Sequence, residues 1–288
     1  MNLHTLLFYT CVTKEVNNQC EESFTLDQAG VVNRGFSSNL TLIAEAHRLH
    51  GIETFFAVHD TFFVNGEGMR QDWERAWATA YAEVRPLVQS GAVVGWFLGD
   101  ELFPGKISVV NFTKALDVLS YTKQDFPNLL IWENQGGTGW IDTFPHGLPA
   151  ALDITSIDDY YMTVEEHREW YTTKLYPLLA PHQKVFLVPG SYGTRNDIEK
   201  SRWCVKPDGS PGVTLDDCDN FMVNQTQSYL QWALADERVV GFAPWHWDSR
   251  GVDEVSPYKE VGTVELPKLR SEWQKIRAII SPPRIHGE

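Results

Sequence analysis

The chain has 288 residues, 43% of them hydrophobic, enough to bury a large core, and this length suits one domain over 1–288 better than two ordinary ones. Its 24 basic and 38 acidic residues give a formal net charge of −14, which argues against nucleic acid and against an anionic membrane surface as partners. No apolar stretch is long enough to span a bilayer, and oligomeric state is not legible.

Residues 3–11 form the first strand-like apolar run. The run lacks a basic flank and a small-residue cleavage site, so a signal peptide is expected to have been removed or never to have been present. The irregular segment 30–36 and an amphipathic stretch at 40–49 follow. A strand at 52–59 then ends in His59 and Asp60, and a helix is predicted over 72–88. Next comes the most informative segment, AVVGWFLGDEL at 92–102, an apolar run that stops at two adjacent carboxylates, Asp100 and Glu101. Beyond a helix at 109–123, strands at 129–132 and 154–157 end in Glu133 and Asn134, and in Asp158, Asp159, Tyr160 and Tyr161. A helix at 164–179 leads to a strand at 185–188 followed by Ser191 and Tyr192. A helix at 220–235 leads to a strand at 239–244 followed by Trp245, His246, Trp247 and Asp248, and a last helix is predicted over 269–280.

Strand–helix alternation at this spacing specifies parallel pairing with right-handed crossovers, hence an α/β fold, a (β/α)8 TIM-type barrel. Seven strands are countable. The eighth is either the irregular segment 30–36 or lies upstream of the first residue. In such a barrel the chemistry collects at strand carboxyl ends, where this sequence repeatedly places carboxylates, histidines and aromatics.

Cys11, Cys20, Cys204 and Cys218 fall in two local pairs without CxxC spacing, so two disulfides, Cys11–Cys20 and Cys204–Cys218, are expected rather than a zinc site. Sequons at Asn39, Asn111 and Asn224 join the cysteines in predicting a secreted, extracellular glycoprotein.

A carboxyl that is to give up a proton at neutral pH must be held protonated, and burial beside Asp100 and tryptophans would raise the pKa of Glu101 toward that task. The same two residues could instead cap a helix or form a surface ion pair. Glu133 could serve sugar binding or merely hold the Gly136–Gly137 loop. His59 and Asp60 suit a substrate hydroxyl or a satisfied strand-end pair. Alternation would aim Trp245 and Trp247 one way, with Trp245 as sugar platform. Trp96, Trp132, Asn134, Asp158, Tyr160, Tyr192 and Asp248 complete the substrate-binding set. His167, His182 and His286 read as solvated.

These segments resemble the glycoside hydrolases built on (β/α)8 barrels. GWFLGDE is similar to their fourth strand, which ends in the general acid; DITSIDDYY to the sixth; and VVGFAPWHWD to the eighth with its sugar-platform tryptophan. This numbering makes residues 3–11 the second strand. Two departures matter: the fourth strand ends Asp-Glu where retaining β-glycosidases usually have Asn-Glu, and the seventh, KVFLVPGSYG, carries no carboxylate. The Asp-Glu pair resembles instead the substrate-assisted β-hexosaminidases. The resemblance thus implies a hydrolase of β-linked oligo- or polysaccharides that needs no cofactor, with Glu101 as general acid/base and Asp100 assisting. An inverting route would take its base from Asp158, Glu133 or Asp248. Two alternatives stand beside it. One is a metal-dependent barrel isomerase or hydrolase using His59, Glu101, Glu133, Asp158 and His246, and the other is a catalytically inactive glycan-binding barrel.

Overall fold

The computed structural model describes residues 3–7, 31–64, 68–103, 107–137, 139–160, 162–194, 214–245, 247 and 260–280. Its main sheet has eight strands: β1 (Thr5–Leu6), β2 (Arg34–Ser37), β3 (Glu53–Ala57), β4 (Val93–Asp100), β5 (Leu130–Gly136), β6 (Ile154–Asp158), β7 (Lys184–Leu187) and β8 (Val239–Phe242). The principal helices are α1 (Leu40–His50), α2 (Trp73–Gln89), α3 (Val109–Tyr121), α4 (Val164–Trp170), α5 (Leu215–Ala235) and α6 (Pro267–Ile280). The strand order is β1-β8-β7-β6-β5-β4-β3-β2. That order, with α-helices between five of the successive strand pairs among the described residues, is the α/β topology of a (β/α)8 TIM-type barrel.

The strand left uncounted in the sequence is β2, at the end of the irregular segment. Residues 3–11 therefore contribute the first strand rather than the second, and GWFLGDE, ITSID and VVGF fall on the fourth, sixth and eighth. Four residues with a central glycine were too short to show an alternation.

Two compact units are distinguishable, one of Met1–Asn33, Tyr160–Val164 and Leu187–Glu288, the other of Arg34–Asp159 and Glu165–Phe186. In the second unit, strand alternation sorts side chains onto two faces. Phe36, Phe55, Phe97, Trp132 and Phe186 share one face, with Trp132 at 4.3 Å from Phe97, 5.3 Å from Phe186 and 5.4 Å from Phe55 between ring centroids. Trp96 belongs to the other face, under α2, where it meets Trp77 and Tyr81 and donates from Nε1 to Thr122 Oγ1 at 2.9 Å. Local sequence sets the helix limits. Asn39 caps α1 by accepting from Leu42 N, Gly51 ends it at φ 65°, and Ser108 caps α3. His167, read from sequence as solvated, is instead fully buried on α4 with its ring 4.9 Å from Tyr171. Burial alone lowers its pKa to about 4, so the imidazole is neutral.

In the first unit β1 pairs in parallel with β8, Thr5 opposite Gly241 and Leu6 opposite Phe242. Asn33 accepts from Leu6 N at 2.8 Å and donates to His4 O at 2.9 Å. Helix α5 opens with a capping box, Thr214 and Asp217 bonding each other's backbone. Cys218 in its first turn is disulfide-bonded, and its partner lies outside the described residues, as do Cys11, Cys20 and Cys204. The next residue, Asp219, is buried and accepts from Lys268 N at 2.9 Å and Leu269 N at 2.7 Å, satisfying the start of α6 from a neighbouring helix. Removing that carboxylate leaves the buried Leu269 amide and the part-buried Lys268 amide without their acceptor. Asp219→Ala is therefore expected to cost about 1–3 kcal/mol in denaturant unfolding, against a negligible loss for the exposed Lys268→Ala.

Candidate active site

The carboxyl ends of β3, β4, β5 and β6 lie side by side in the second unit because these strands are parallel and paired in register. Asp100 is opposite Asn134, Asn134 opposite Ser156, and Gly136 opposite Asp158. This edge brings together His59, Asp60, Asp100, Glu101, Asn134 and Asp158 from the sequence-predicted set.

Glu101 leaves β4 with φ 48°, the one positive φ at a non-glycine among the described residues. Its backbone N–H donates to Asn134 O at 3.0 Å, which holds the turn against β5. A bulky side chain in the left-handed region costs free energy, and such strain concentrates at functional positions. The turn lays the carboxylate across Gly136, where a Cβ would run into Oε1 and Cδ of Glu101. Gly99 makes a second close approach, since at φ 154° its Cβ would meet Leu102 and lie 2.9 Å from His59 Cδ2. These two glycines admit Glu101 and His59 to the strand ends.

Glu101 and Asp100 are both exposed. The burial expected for Glu101 beside tryptophans is therefore absent, and for a geometric reason. Trp96 points into the helix layer and Trp132 lies fully buried beneath the strand ends. Neither ring is available to stack on a ligand.

Asp100 accepts from Asn134 Nδ2 at 2.7 Å. Asn134 is fully buried, and its Oδ1 accepts from Ser156 Oγ at 2.6 Å, while Ser156 Oγ accepts from Trp132 Nε1 at 2.9 Å. His59 and Asp60 form a pair, Nδ1 to Oδ1 at 2.7 Å, and that hydrogen bond is the main reason the Asp60 carboxyl sits below the usual carboxylate range. Arg70 reaches the backbone oxygen of Asp60 at 2.9 Å while bonding Asp72.

Glu133 is not part of this edge. Alternation turns it to the opposite face of β5 from Trp132 and Asn134, where it is fully buried and accepts from Thr155 Oγ1 and from Gln135 Nε2 at 2.6 Å. Burial pushes its pKa up to about 8 against those two hydrogen bonds, so at neutral pH it is a carboxylic acid inside the fold. Placed there, it can neither bind a sugar nor act as the base of an inverting pair. Among the described residues no three His, Cys, Asp or Glu side chains are grouped to hold a metal ion; of the five candidate ligands, Glu133 is sealed away and His246 lies outside the described residues.

In the first unit, Trp245 and Tyr160 are half-exposed and stack at 6.5 Å with 22° between planes, and Tyr192 meets Tyr160 edge-on at 6.0 Å. Trp245 is tied by backbone bonds to Pro189 and Ser191. Trp247 is buried where Trp245 is half-exposed; β8 ends at Phe242, and strand alternation does not extend to them. Ser191 is buried and accepts from Trp273 Nε1 at 2.8 Å. Asp248, like Tyr161, lies outside the described residues.

Sequence reasoning missed Ser156 and the part played by Gly99 and Gly136. The glycine just before Asp100-Glu101 and the one in ENQGG were the available signals.

Glu133 makes stability depend on pH in a stated direction. Its folded pKa of about 8 lies above the ordinary 4.5, so between these values the folded state keeps a proton that the unfolded chain releases. Its contribution is complete below pH 4.5 and is lost as pH rises through 8, at about 1.4 kcal/mol per pH unit. Glu133→Gln, which stays neutral, is expected to flatten the fall in Tm between pH 5 and pH 8 relative to wild type.

No protein-family model matches this chain, and no curated protein matches it. Among solved structures it is similar to the FMN-binding β-glucuronidase from Facaelibacterium prausnitzii L2-6, with TM-score 0.58 and 10% identity over 85% of this chain and 39% of that one. It is similar also to the β-glucuronidase of Parabacteroides merdae, with TM-score 0.56 and 12% identity over 85% of this chain and 33% of that one. A GH113 β-1,4-mannanase aligns over 86% of this chain and 90% of its own, with 15% identity and TM-score 0.48. The chain spans between a third and two fifths of the length of the two glucuronidases. At these identities the likeness is one of fold alone, that of a (β/α)8 barrel.

Proposed function

We propose that the protein is a secreted glycoside hydrolase acting on a β-linked glycan, with Glu101 as general acid/base and Asp100 as the assisting residue. The observation that carries this reading is the adjacent Asp100-Glu101 pair at the carboxyl end of β4, one carboxylate laid over Gly136 and the other held by Asn134. A barrel scaffold alone supports many reactions, so the argument rests on that pair.

General acid catalysis needs a proton donor able to reach the leaving oxygen, and an exposed carboxyl at a strand end can be reached by a long chain. The bound glycan then supplies the exclusion of water that the free protein lacks at Glu101. Without a carboxylate on β7, the route is either substrate-assisted, Asp100 orienting an acetamido group that attacks the anomeric carbon, or inverting. For the inverting route Asp158 is the candidate base among the described residues, opposite the Gly136 on which Glu101 lies.

The test is turnover of a glycan and aryl-glycoside panel that includes N-acetylhexosaminides, by wild type and Glu101→Gln, with and without EDTA. Expected is metal-independent cleavage in which Glu101→Gln loses far more on poor leaving groups than on activated aryl glycosides. Equal losses on both would remove Glu101 from the acid role, EDTA-sensitive turnover would replace the reading with a metal enzyme, and no turnover with sugar binding intact would replace it with a binding protein. Gly136→Ala is expected to leave Tm nearly unchanged, since a flexible carboxylate can swing aside, while lowering kcat about tenfold or more by displacing Glu101. Mass spectrometry of the secreted protein is expected to find Cys11 linked to Cys20 and Cys204 to Cys218, and four free thiols would overturn both pairing and compartment.

A further inference from the structure

We propose that Asn134 is a positioning residue for Asp100, its amide locked in one orientation by Ser156 and Trp132. The inference rests on the reading of Asp100 as the assisting residue; it adds Ser156 and gives Asn134 and Trp132 a positioning role in place of the substrate contact expected of them from sequence.

The direction of every hydrogen bond in the chain follows from its far end. An indole N–H can only donate, so Ser156 Oγ, 2.9 Å from Trp132 Nε1, accepts there. That leaves Ser156 a single proton to give, and the shorter of its two acceptor contacts is Asn134 Oδ1 at 2.6 Å, against Glu133 O at 3.3 Å. With Oδ1 so engaged, the amide turns Nδ2 toward Asp100, 2.7 Å away, and donates to it. A flipped amide would set its oxygen against an ionised carboxylate at that distance. Both ends of the chain therefore require the same orientation, and the end at Asp100 requires a carboxylate that accepts.

The setting makes the constraint firm. Trp132, Asn134 and Ser156 are fully buried, where a polar group left unpaired is costly and a paired one is held tightly. Asp100, Asn134 and Ser156 are register partners on three successive parallel strands, so the backbone spaces them without adjustment. Trp132, two residues before Asn134 on the same face, cannot rotate, since Phe55, Phe97 and Phe186 surround its ring. A buried, fixed donor chain thus ends on an exposed carboxylate, which is how a surface acid can be held for catalysis without burying it.

The experiment follows Asp100 directly by carbon-13 carboxyl NMR of Asp-labelled protein, assigned with Asp100→Asn, in wild type, Asn134→Ala, Ser156→Ala, Ser156→Thr and Trp132→Phe, with kcat and KM measured on the best substrate of the panel. Expected is a rise in the Asp100 titration midpoint in Asn134→Ala and Ser156→Ala, because a donor to the charged form has been lost or released, and its return in Ser156→Thr, which keeps the hydroxyl. Trp132→Phe keeps an aromatic ring in the cluster while removing the N–H together with part of the indole, so it tests the same hydrogen bond should Ser156→Ala fail to fold. In turnover, Ser156→Ala is expected to lower kcat about tenfold with KM within about threefold. Folded variants whose Asp100 titrates as in wild type overturn the proposal. A wild type that turns over no glycan defeats the glycosidase reading instead, while the titration still decides whether the chain positions Asp100.

Discussion

The indole of Trp132 does two jobs through one side chain, and the candidate site depends on both. Its ring is wedged among Phe36, Phe55, Phe97 and Phe186, which joins β2, β3, β4, β5 and β7 through aromatic contacts. Its N–H, the polar handle that a buried indole must satisfy, sets the sense of the hydrogen bonds through Ser156 and Asn134 to Asp100. Hydrophobic packing without direction and hydrogen bonding with direction meet at that ring, so the core's rigidity is passed to a surface carboxylate.

Strand β5 shows how alternation divides labour between adjacent residues. Asn134 and Gly136 face the strand-end chemistry, one donating to Asp100 and the other making room for Glu101. Glu133, between Trp132 and Asn134, faces the other way and becomes a neutral acid satisfied by Thr155 and Gln135. Two carboxyl groups within one short stretch of sheet thus have opposite environments, exposed for Glu101 and sealed for Glu133. The pair of glycines completes the arrangement, since without a side chain at Gly99 and Gly136 the backbone allows His59 and Glu101 to come close.

Much of the fold was legible because its signals are local. Apolar runs bounded by Gly and polar residues marked seven of the eight strands, and the caps at Asn39 and Ser108 sit where the helical periodicity begins. The short β2 escaped because four residues carry too little alternation, which displaced the first strand in the count. Helix α5 begins at Leu215, before the expected start, because its capping box at Thr214 and Asp217 lies inside a loop-like polar stretch. His167 looked solvated because one imidazole among glutamates carries no sign of the Tyr171 that covers it.

The alternation of elements, and with it the presence of Asp100 and Glu101 at a strand's carboxyl end, is readable from local order, because hydrophobic period and turn chemistry are written in neighbouring residues. Which side chains that edge contains is a matter of long-range packing. Whether Trp96 lines a site or a helix interface, whether Glu133 is charged, and whether Asn134 donates to Asp100 depend on face, burial and register between strands tens of residues apart. Those are properties of packing, and a strand's own residues do not record which neighbour will lie across from them.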